Sequence, residues 1–423
     1  MRQEDAERLT RVGPGTPAGE LFRRYWQPAA LSSELPEKDG APVRVRLLGE
    51  DLIAFRDTEG KIGLVDAYCP HRRAPLFFGR NEECGIRCVY HGWKFNADGT
   101  CTDLPSEPAE SPMKNNIRIK SYPTFEQGGI VWTYMGPKDK QPAPPDYEWS
   151  RAPETHRAVS KAYQACNYLQ GLEGGLDTAH VSFLHNNRIG DKKNLFARDG
   201  APKIEVFDTD YGYYYVSTRK LSEGRDFIRV YQYTLPFQQM RPNMVQTGLE
   251  SNRVAPRSDG HLWVPIDDEQ TNVYNWTCGF DEDCPLDPQQ IEETEAFYGR
   301  GKDHYIPGTF KLKANLSNDY FIDRQEQKNT SFTGIQGVNT QDVALQEGMG
   351  TVTDRTQEHL GTSDRAIAVM RRMLLEATRA VEAGETPRGA EAKSYRDIRP
   401  YDGLIPTGTD WREAFVEGLA PRW

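Results

Sequence analysis

Residues 69–95 read CPHRRAPLFFGRNEECGIRCVYHGWKF. Cys69 and His71 stand two apart, Cys88 and His91 stand three apart, and sixteen residues separate the two pairs. Each pair follows a stretch with strand character, and the neighbouring Pro70 and Gly92 call for turns. Two such loops facing each other would gather two thiolates and two imidazoles. The whole chain holds eight histidines and seven cysteines. Matched loops with one of each therefore point to a metal site rather than to unrelated core residues.

Two metal readings compete. A structural zinc ion accepts two cysteines and two histidines, although zinc fingers usually pair like with like along the chain. A Rieske [2Fe–2S] centre takes cysteines on one iron and histidines on the other. The mixed pairing in each loop suits the second. Cys84, in EECG, reads as a spare, partly exposed cysteine.

The rest of the composition sets bounds. The 423 residues suggest two domains. The 28 prolines and 37 glycines are spread along the chain, as in a loop-rich globular protein. A net charge of −10 argues against nucleic-acid binding. No apolar run approaches the roughly 18–20 residues of a membrane span. MRQEDAERLT lacks the cationic and apolar regions of a signal peptide. An odd cysteine count without a disulfide framework fits a reducing compartment, so the cytoplasm is the expected location.

Residues 5–26 read as short helices broken by Gly13-Pro14-Gly15. From residue 43 the chain alternates like a β-meander, with Val43, Val45 and Leu47 on one face, Arg44 and Arg46 on the other, and turns at Glu50-Asp51 and Thr58–Gly60. Short strands continue to GGIVWTYMG at 128–136. Five prolines in 135–153 mark a connector. Beyond it, 163–185 reads as a helix, 211–235 as paired strands, and HLWVPIDD and NVYNWTCGF as further strands. Residues 362–383 form the clearest helix, capped by Thr362 or Ser363, with Ile367, Met370, Leu374 and Val381 on one stripe.

A Rieske centre passes electrons singly and offers no substrate position, so an enzyme would need a second centre. Residues 167–185, NYLQGLEGGLDTAHVSFLH, hold Asp177, His180 and His185. On a helix Asp177 and His180 share a face, whereas His180 and His185 lie about 140° apart. Both histidines reach one metal only if the helix ends or bulges between them, and Ser182 with Asn186-Asn187 favours an end. Two histidines and one carboxylate make the facial triad of non-haem Fe(II) oxygenases. Glu173, Asp177, Asp342 and Asp354 are the candidate carboxylates.

The run CPHR…CVYHGWKF resembles the Rieske domain of non-haem iron ring-hydroxylating oxygenases. The likeness covers most of the chain and is strongest over 43–135, 163–188 and 340–375. GEDLIAFRDTEGKIGLVDAYCPHR, LPSEPAESPMKN and DRTQEHLGTSDRAI look like the phthalate dioxygenase type. The resemblance implies an α+β chain: a helical segment 1–26 packing on the catalytic domain, an all-β Rieske domain 27–140, and a helix-grip catalytic domain 141–423 with an antiparallel sheet. It implies that Cys69 and Cys88 bind one iron and His71 and His91 the other. It places mononuclear Fe(II) on His180, His185 and Asp342, whose QDVALQEGMG matches the family's third-ligand helix, with Asp354 as runner-up. It makes Asp177 a bridge to His91 of a neighbouring subunit, hence a homotrimer or stacked trimers.

The same resemblance implies O2 as co-substrate and a separate NAD(P)H-dependent reductase with flavin and a ferredoxin-type [2Fe–2S] cluster. The expected reaction is cis-dihydroxylation of a phthalate- or benzoate-like aromatic carboxylate in aromatic catabolism. O-demethylation of a methoxylated lignin-derived acid is the alternative. Electron transfer without oxygenase activity is the alternative from another class; it would leave most of the chain unused, since such a domain needs only about 100 residues. A carboxylate substrate calls for an arginine. Arg219, Arg229, Arg241, Arg253 and Arg257 lie in the expected pocket wall, with Arg219 preferred. Tyr213–Tyr215 and Tyr231–Tyr233 are candidates for ring stacking.

Overall fold

The computed structural model describes residues 1–191, 193–248 and 256–423. The chain divides into two compact units, Val12–Pro144 and Met1–Arg11 with Pro145–Trp423. The later divide falls inside the proline-rich connector. The earlier one falls at Arg11/Val12, where the sequence reading places it after residue 26. The helix Pro17–Phe22 belongs with the smaller unit because Arg23 behind it donates to Leu48 O at 3.2 Å and to Glu50 Oε1 at 2.8 Å.

The smaller unit is built on β1 (Trp26–Leu31), β2 (Val43–Leu47), β3 (Glu50–Arg56), β4 (Ile62–Asp66), β5 (Arg80–Glu82), β6 (Gly85–Arg87), β7 (Lys94–Phe95), β8 (Cys101–Asp103), β9 (Thr124–Gln127) and β10 (Ile130–Tyr134). They form antiparallel sheets in the orders β1-β10-β9, β2-β3-β4 and β5-β6-β7-β8. Val45 and Leu47 are buried while Arg44 and Arg46 are exposed, the alternation of a half-buried strand. Leu48 and Gly49 make the next turn, so Glu50 and Asp51 open β3 instead of turning the chain. Ile53, Phe55, Val65, Ile86, Trp93 and Phe95 form one core that also encloses Cys69 and Cys88.

The larger unit holds β11 (Arg157–Gln164), β12 (Lys203–Asp208), β13 (Gly212–Leu221), β14 (Arg225–Thr234), β15 (Gln238–Asn243), β16 (Arg257–Pro265), β17 (Thr271–Gly279) and β18 (Tyr401–Pro406). The sheet is antiparallel in the order β11-β17-β16-β15-β14-β13-β12, and β18 pairs with the first part of β14. The helices that bear on the site are α1 (Tyr168–Leu176), α2 (Pro288–Tyr298), α3 (Val338–Gly348) and α4 (Arg365–Glu382). α1 packs on β16 and β15, and α3 packs on α1 and α2. Among the described residues, no helix is long and apolar enough to cross a membrane.

Two expected helices differ in their limits. In 163–185, β11 runs to Gln164, Asn167 caps α1 by accepting from Leu169 N at 3.1 Å, and α1 ends at Leu176. It ends there because Asp177 Oδ1 accepts from Ala179 N at 2.7 Å and turns the chain. α4 starts at Arg365 with Asp364 at its cap position, since the Asp364 carboxylate bonds back to Gly361 N at 2.6 Å. Ile367, Met370 and Leu374 are buried as a stripe and Val381 is half-buried.

Close approach decides where α1 lies. A Cβ on Gly171 would stand 2.4 Å from Trp263 Cδ1, and one on Gly175 2.1 Å from Trp263 Cη2. The helix backbone therefore rests directly on the indole. Its other side is tied by charge: Glu173 pairs with fully buried Arg355 at 2.9 Å and with Arg371 at 2.7 Å, and Arg371 also pairs with Glu358 at 2.6 Å. Replacing Glu173 by Gln strands the Arg355 guanidinium. The expected loss is about 3–5 kcal/mol, read as a lower midpoint in urea unfolding of the larger unit.

Candidate metal centres

In the smaller unit, Cys69 N donates to Ala74 O at 2.9 Å and Arg73 N to Cys69 O at 2.9 Å, closing the first loop on itself. In the second, Cys88 N donates to Trp93 O at 2.8 Å and Gly92 N to Cys88 O at 2.9 Å. The loops meet: the His71 and His91 rings lie 4.5 Å apart, and Trp93 stacks on His71 at 4.4 Å. Cys69 and Cys88 are buried free thiols, while the two histidines are half-buried at the tips. Burial, and then the Cys88 thiol beside it, pushes the Cys69 thiol up to about 12. Burial, His71 and Arg72 hold the His91 imidazole below its ordinary value, which favours the neutral, ligating form. Cys84 stays half-exposed on the turn between β5 and β6.

In the larger unit, the turn after α1 carries Asp177, His180 and His185, and α3 carries Asp342. His180 Nε2 and His185 Nε2 are 3.1 Å apart, and Asp342 Oδ1 lies 3.5 Å from the first and 3.3 Å from the second. All three donor atoms fit within reach of one ion at a metal–ligand distance of roughly 2.1 Å. The far nitrogens are held as well. Asp177 Oδ2 approaches His180 Nδ1 at 3.5 Å, and Gln341 Oε1 accepts from His185 Nδ1 at 2.8 Å. Gln341 is itself fixed by donating to Asn187 Oδ1 and Ile335 O, each at 2.8 Å. Asn339 Nδ2 donates to Asp342 Oδ2 at 3.2 Å. Such partners orient metal-binding side chains.

Electrostatics agree with the geometry. Burial opposes ionisation of Asp342, but His185, His180 and Asn339 outweigh it and hold the carboxyl below the usual carboxylate range. Burial opposes charging of His180, yet Asp177 and then Asp342 raise it above its ordinary value. The cluster is arranged to attract a cation. The other weighed carboxylates are occupied elsewhere: Glu173 in its arginine network, and Asp354 on an exposed turn, accepting from Thr356 N at 3.0 Å.

A cavity opens beside the three residues, walled by Phe196, Tyr231, Trp263 and Tyr298 and reached by Arg229, Arg241 and Arg300. Arg219, the preferred arginine, is not in that wall. It is fully buried and donates to Thr178 O at 2.5 Å and Asp199 O at 3.1 Å. Arg229 is paired with Asp402 at 3.1 Å, Arg257 with Asp259 at 3.5 Å, and Arg253 lies outside the described residues. Arg241 has no hydrogen bond or ion pair at its guanidinium among the described residues; it flanks the Tyr298 ring at 5.8 Å. Tyr231 reaches the cavity, whereas Tyr213, Tyr215 and Tyr233 pack in the core. Sequence reasoning missed Gln341, Asn339 and Arg300. The first two flank Asp342 closely enough to have been suspected; Arg300 had no signal beyond following the helix-ending Gly299.

Residues 25–123 match the Rieske [2Fe-2S] domain, and residues 133–419 match the family described as LigXa C-terminal domain like. The chain is 37% identical over 421 residues to the phthalate 4,5-dioxygenase oxygenase subunit of Pseudomonas putida, covering 96% of this chain and 92% of that one. It is 38% identical over 444 residues to the 3-chlorobenzoate-3,4-dioxygenase oxygenase subunit of Comamonas testosteroni, covering 98% and 99%. It is 36% identical over 431 residues to the 5,5'-dehydrodivanillate O-demethylase oxygenase subunit of Sphingobium sp., covering 99% and 89%. The solved structure of dicamba monooxygenase bound to dicamba shares the fold, with a TM-score of 0.61 at 18% identity over 86% of this chain and 99% of that one. The chain belongs to the Rieske non-haem iron oxygenases, as an oxygenase subunit of the phthalate dioxygenase type.

The family's cofactors are a Rieske [2Fe–2S] cluster and a mononuclear iron, and the donor sets fit both. Two buried thiols beside two imidazoles suit a cluster whose positive charge lets the thiols ionise. Two imidazoles and one carboxylate suit a ferrous ion with positions left open. Gly175→Val would drive a side chain into Trp263 and displace the turn that follows α1. Iron analysis is expected to fall by about one atom per chain, while the visible bands of the [2Fe–2S] cluster stay unchanged.

Proposed function

We propose that this oxygenase cis-dihydroxylates an aromatic carboxylate, with Arg241 as the anchor for the carboxylate. The observation that carries this reading is the Arg241 guanidinium, without an ion pair among the described residues, in the wall of the cavity that also holds His180, His185 and Asp342. A cation left without a counter-charge inside a protein calls for an anionic ligand. Relatives named for phthalate and chlorobenzoate support the same class.

Roles for the chain's residues follow. Cys69 and Cys88 would hold one iron of the cluster and His71 and His91 the other. His180, His185 and Asp342 would hold the mononuclear iron. When bound, these groups supply electron relay and activation of O2. Asp177 keeps His180 Nε2 turned toward the metal position, and Gln341 does the same for His185. Trp263, Phe196 and Tyr231 shield the cavity from water, and the Arg241 fork sets which ring edge faces the triad.

Asp177 has a second task in this reading. Its side chain is only partly covered, and it can accept a further hydrogen bond from His91 of a neighbouring subunit. Phe78, Val89 and Tyr90, exposed beside the cluster loops, supply an apolar contact surface for that docking. A head-to-tail contact of this kind closes a ring, so we expect a homotrimer or stacked trimers. The electron donor is a separate NAD(P)H-dependent reductase carrying flavin and a ferredoxin-type cluster. The free cysteines suit the cytoplasm.

Holoenzyme with a surrogate reductase tests the reading through O2 uptake, product mass and iron content. Loaded protein should carry about three irons per chain, falling to about two in His180→Ala, with cluster absorption kept and turnover lost. Turnover surviving in that variant would refute the assignment. Arg241→Met should raise KM for aromatic carboxylates about tenfold or more with a smaller change in kcat. An unchanged KM would remove Arg241 as the anchor.

A further inference from the structure

One wall of the cavity carries Gln239, His261 and Asn275, polar residues that the proposed reaction does not use, and Ser160 continues their row behind the wall. Ser160 on β11, Asn275 on β17, His261 on β16 and Gln239 on β15 are successive cross-strand partners. Ser160, Asn275 and His261 are joined by hydrogen bonds that run in one direction. His261 Nδ1 lies 2.6 Å from Asn275 Oδ1, and Asn275 Nδ2 donates to Ser160 Oγ at 3.3 Å. Ser160 Oγ donates to Glu295 Oε2 at 2.8 Å, and Glu295 Oε1 accepts from Arg300 Nη2 at 2.5 Å.

The carboxylate sets the polarity of this chain, because it only accepts. Ser160 must donate to Glu295, so its oxygen accepts from the Asn275 amide. That orients the Asn275 carbonyl toward His261 and places the ring proton on Nδ1. In the neutral ring, Nε2 is then a lone pair at the cavity with no partner among the described residues. Burial, and then Arg241 and Arg300, push the His261 imidazole well below its ordinary value, so the ring stays neutral. Gln239 leaves a second acceptor nearby, since its Nε2 donates to the Tyr215 hydroxyl at 3.2 Å and its buried Oε1 has no partner among the described residues.

At the other end of the chain, Arg300 is unsaturated. It is buried, with 6% of its surface exposed, and its Nε and Nη1 have no partner among the described residues. Gly299 ends α2 in the left-handed region at φ 81°, and that turn delivers Arg300 to the cavity. Arg300 stacks on the Tyr298 ring at 4.8 Å, the same ring that Arg241 flanks.

The wall thus presents unused donors and unused acceptors together. A carboxylate has no proton for His261, and an ether has none either. A hydroxyl has both functions. We propose that the His261–Arg300 wall is a hydroxyl-recognition site, and that the substrate is an aromatic acid that also carries a phenolic hydroxyl. The phenol donates to His261 Nε2 and accepts from Arg300, while Arg241 takes the carboxylate. The inference rests on the cavity being the substrate pocket of the proposed function. It goes further by naming a second group on the ring.

The test is a binding panel on holoenzyme by calorimetry, with O2 uptake under a surrogate reductase. The panel is the hydroxybenzoates, the matching methoxybenzoates, benzoate and the benzenedicarboxylates. A hydroxybenzoate should bind about tenfold or more tightly than its methoxy counterpart, benzoate and any dicarboxylate. His261→Phe and Arg300→Met should each bring that ratio to about one while keeping benzoate affinity within about threefold. Asn275→Asp should hold His261 protonated, turn Nε2 into a donor, and shift preference toward the methoxy or dicarboxylate ligand. Cluster absorption and iron content report whether each variant is folded, and any one folded variant decides the matter. If the panel binds and turns over without hydroxyl preference, or the preference survives in the folded variants, this inference fails and the proposed function stands. If no aromatic acid binds or supports O2 uptake, both fail.

Discussion

The indole of Trp263 is the surface on which the His180–His185–Asp342 group is set. Gly171 and Gly175, one turn apart on α1, bring the helix backbone against that ring. A side chain at either position would lift the helix off the sheet. The height and direction of α1 then fix where its end lies, and Asp177 turns the chain there so that His180 and His185 point at one place. The Glu173 network holds the other side of the same helix. Packing and charge therefore act on one element, whose end carries two of the three residues around the metal position.

The two centres are assembled by different means. The cysteine–histidine loops are closed by their own backbone hydrogen bonds, within a few residues of each pair. Their shape is local. The His180–His185–Asp342 group joins a turn after α1 to the middle of α3, and it depends on Gln341 and Asn339 to hold its members. Bringing a carboxylate and two imidazoles together in a partly dry site is costly without a cation, and a bound ion offsets that cost. This is why the groups behind His180, His185 and Asp342 matter as much as those three residues.

Charge in the cavity is distributed unevenly. Among the described residues Arg229 is matched by Asp402, Arg300 is half matched by Glu295, and Arg241 is unmatched. Buried cations are ordinarily paired. The gradient from matched to unmatched separates arginines that hold the fold from those available to a ligand. Burial alone does not make that distinction: Arg219 is the most enclosed of them and serves the backbone of Thr178 and Asp199.

Much of this was legible in the residues. The spacing of Cys69, His71, Cys88 and His91 carries its own loop geometry, because ligand, turn and strand lie within a few positions of one another. The meander of β2–β4 and the pairs β13–β14 and β16–β17 follow from alternation. The short limits of α1 were not legible: 163–185 reads as one helix, and the Asn167 cap, the contact with Trp263 and the Asp177 turn confine it to Tyr168–Leu176. Asp342 could be chosen only through family likeness, because a carboxylate far along the chain announces nothing about its neighbours. The polar row through Ser160, Asn275 and His261 was invisible, as cross-strand register joins residues that are distant in sequence. Sequence by itself determined the chemistry carried by short, locally closed motifs. Tertiary structure alone decided which long-range partners meet, because register, helix height and the pairing of buried charges are properties of packed elements and not of neighbouring residues.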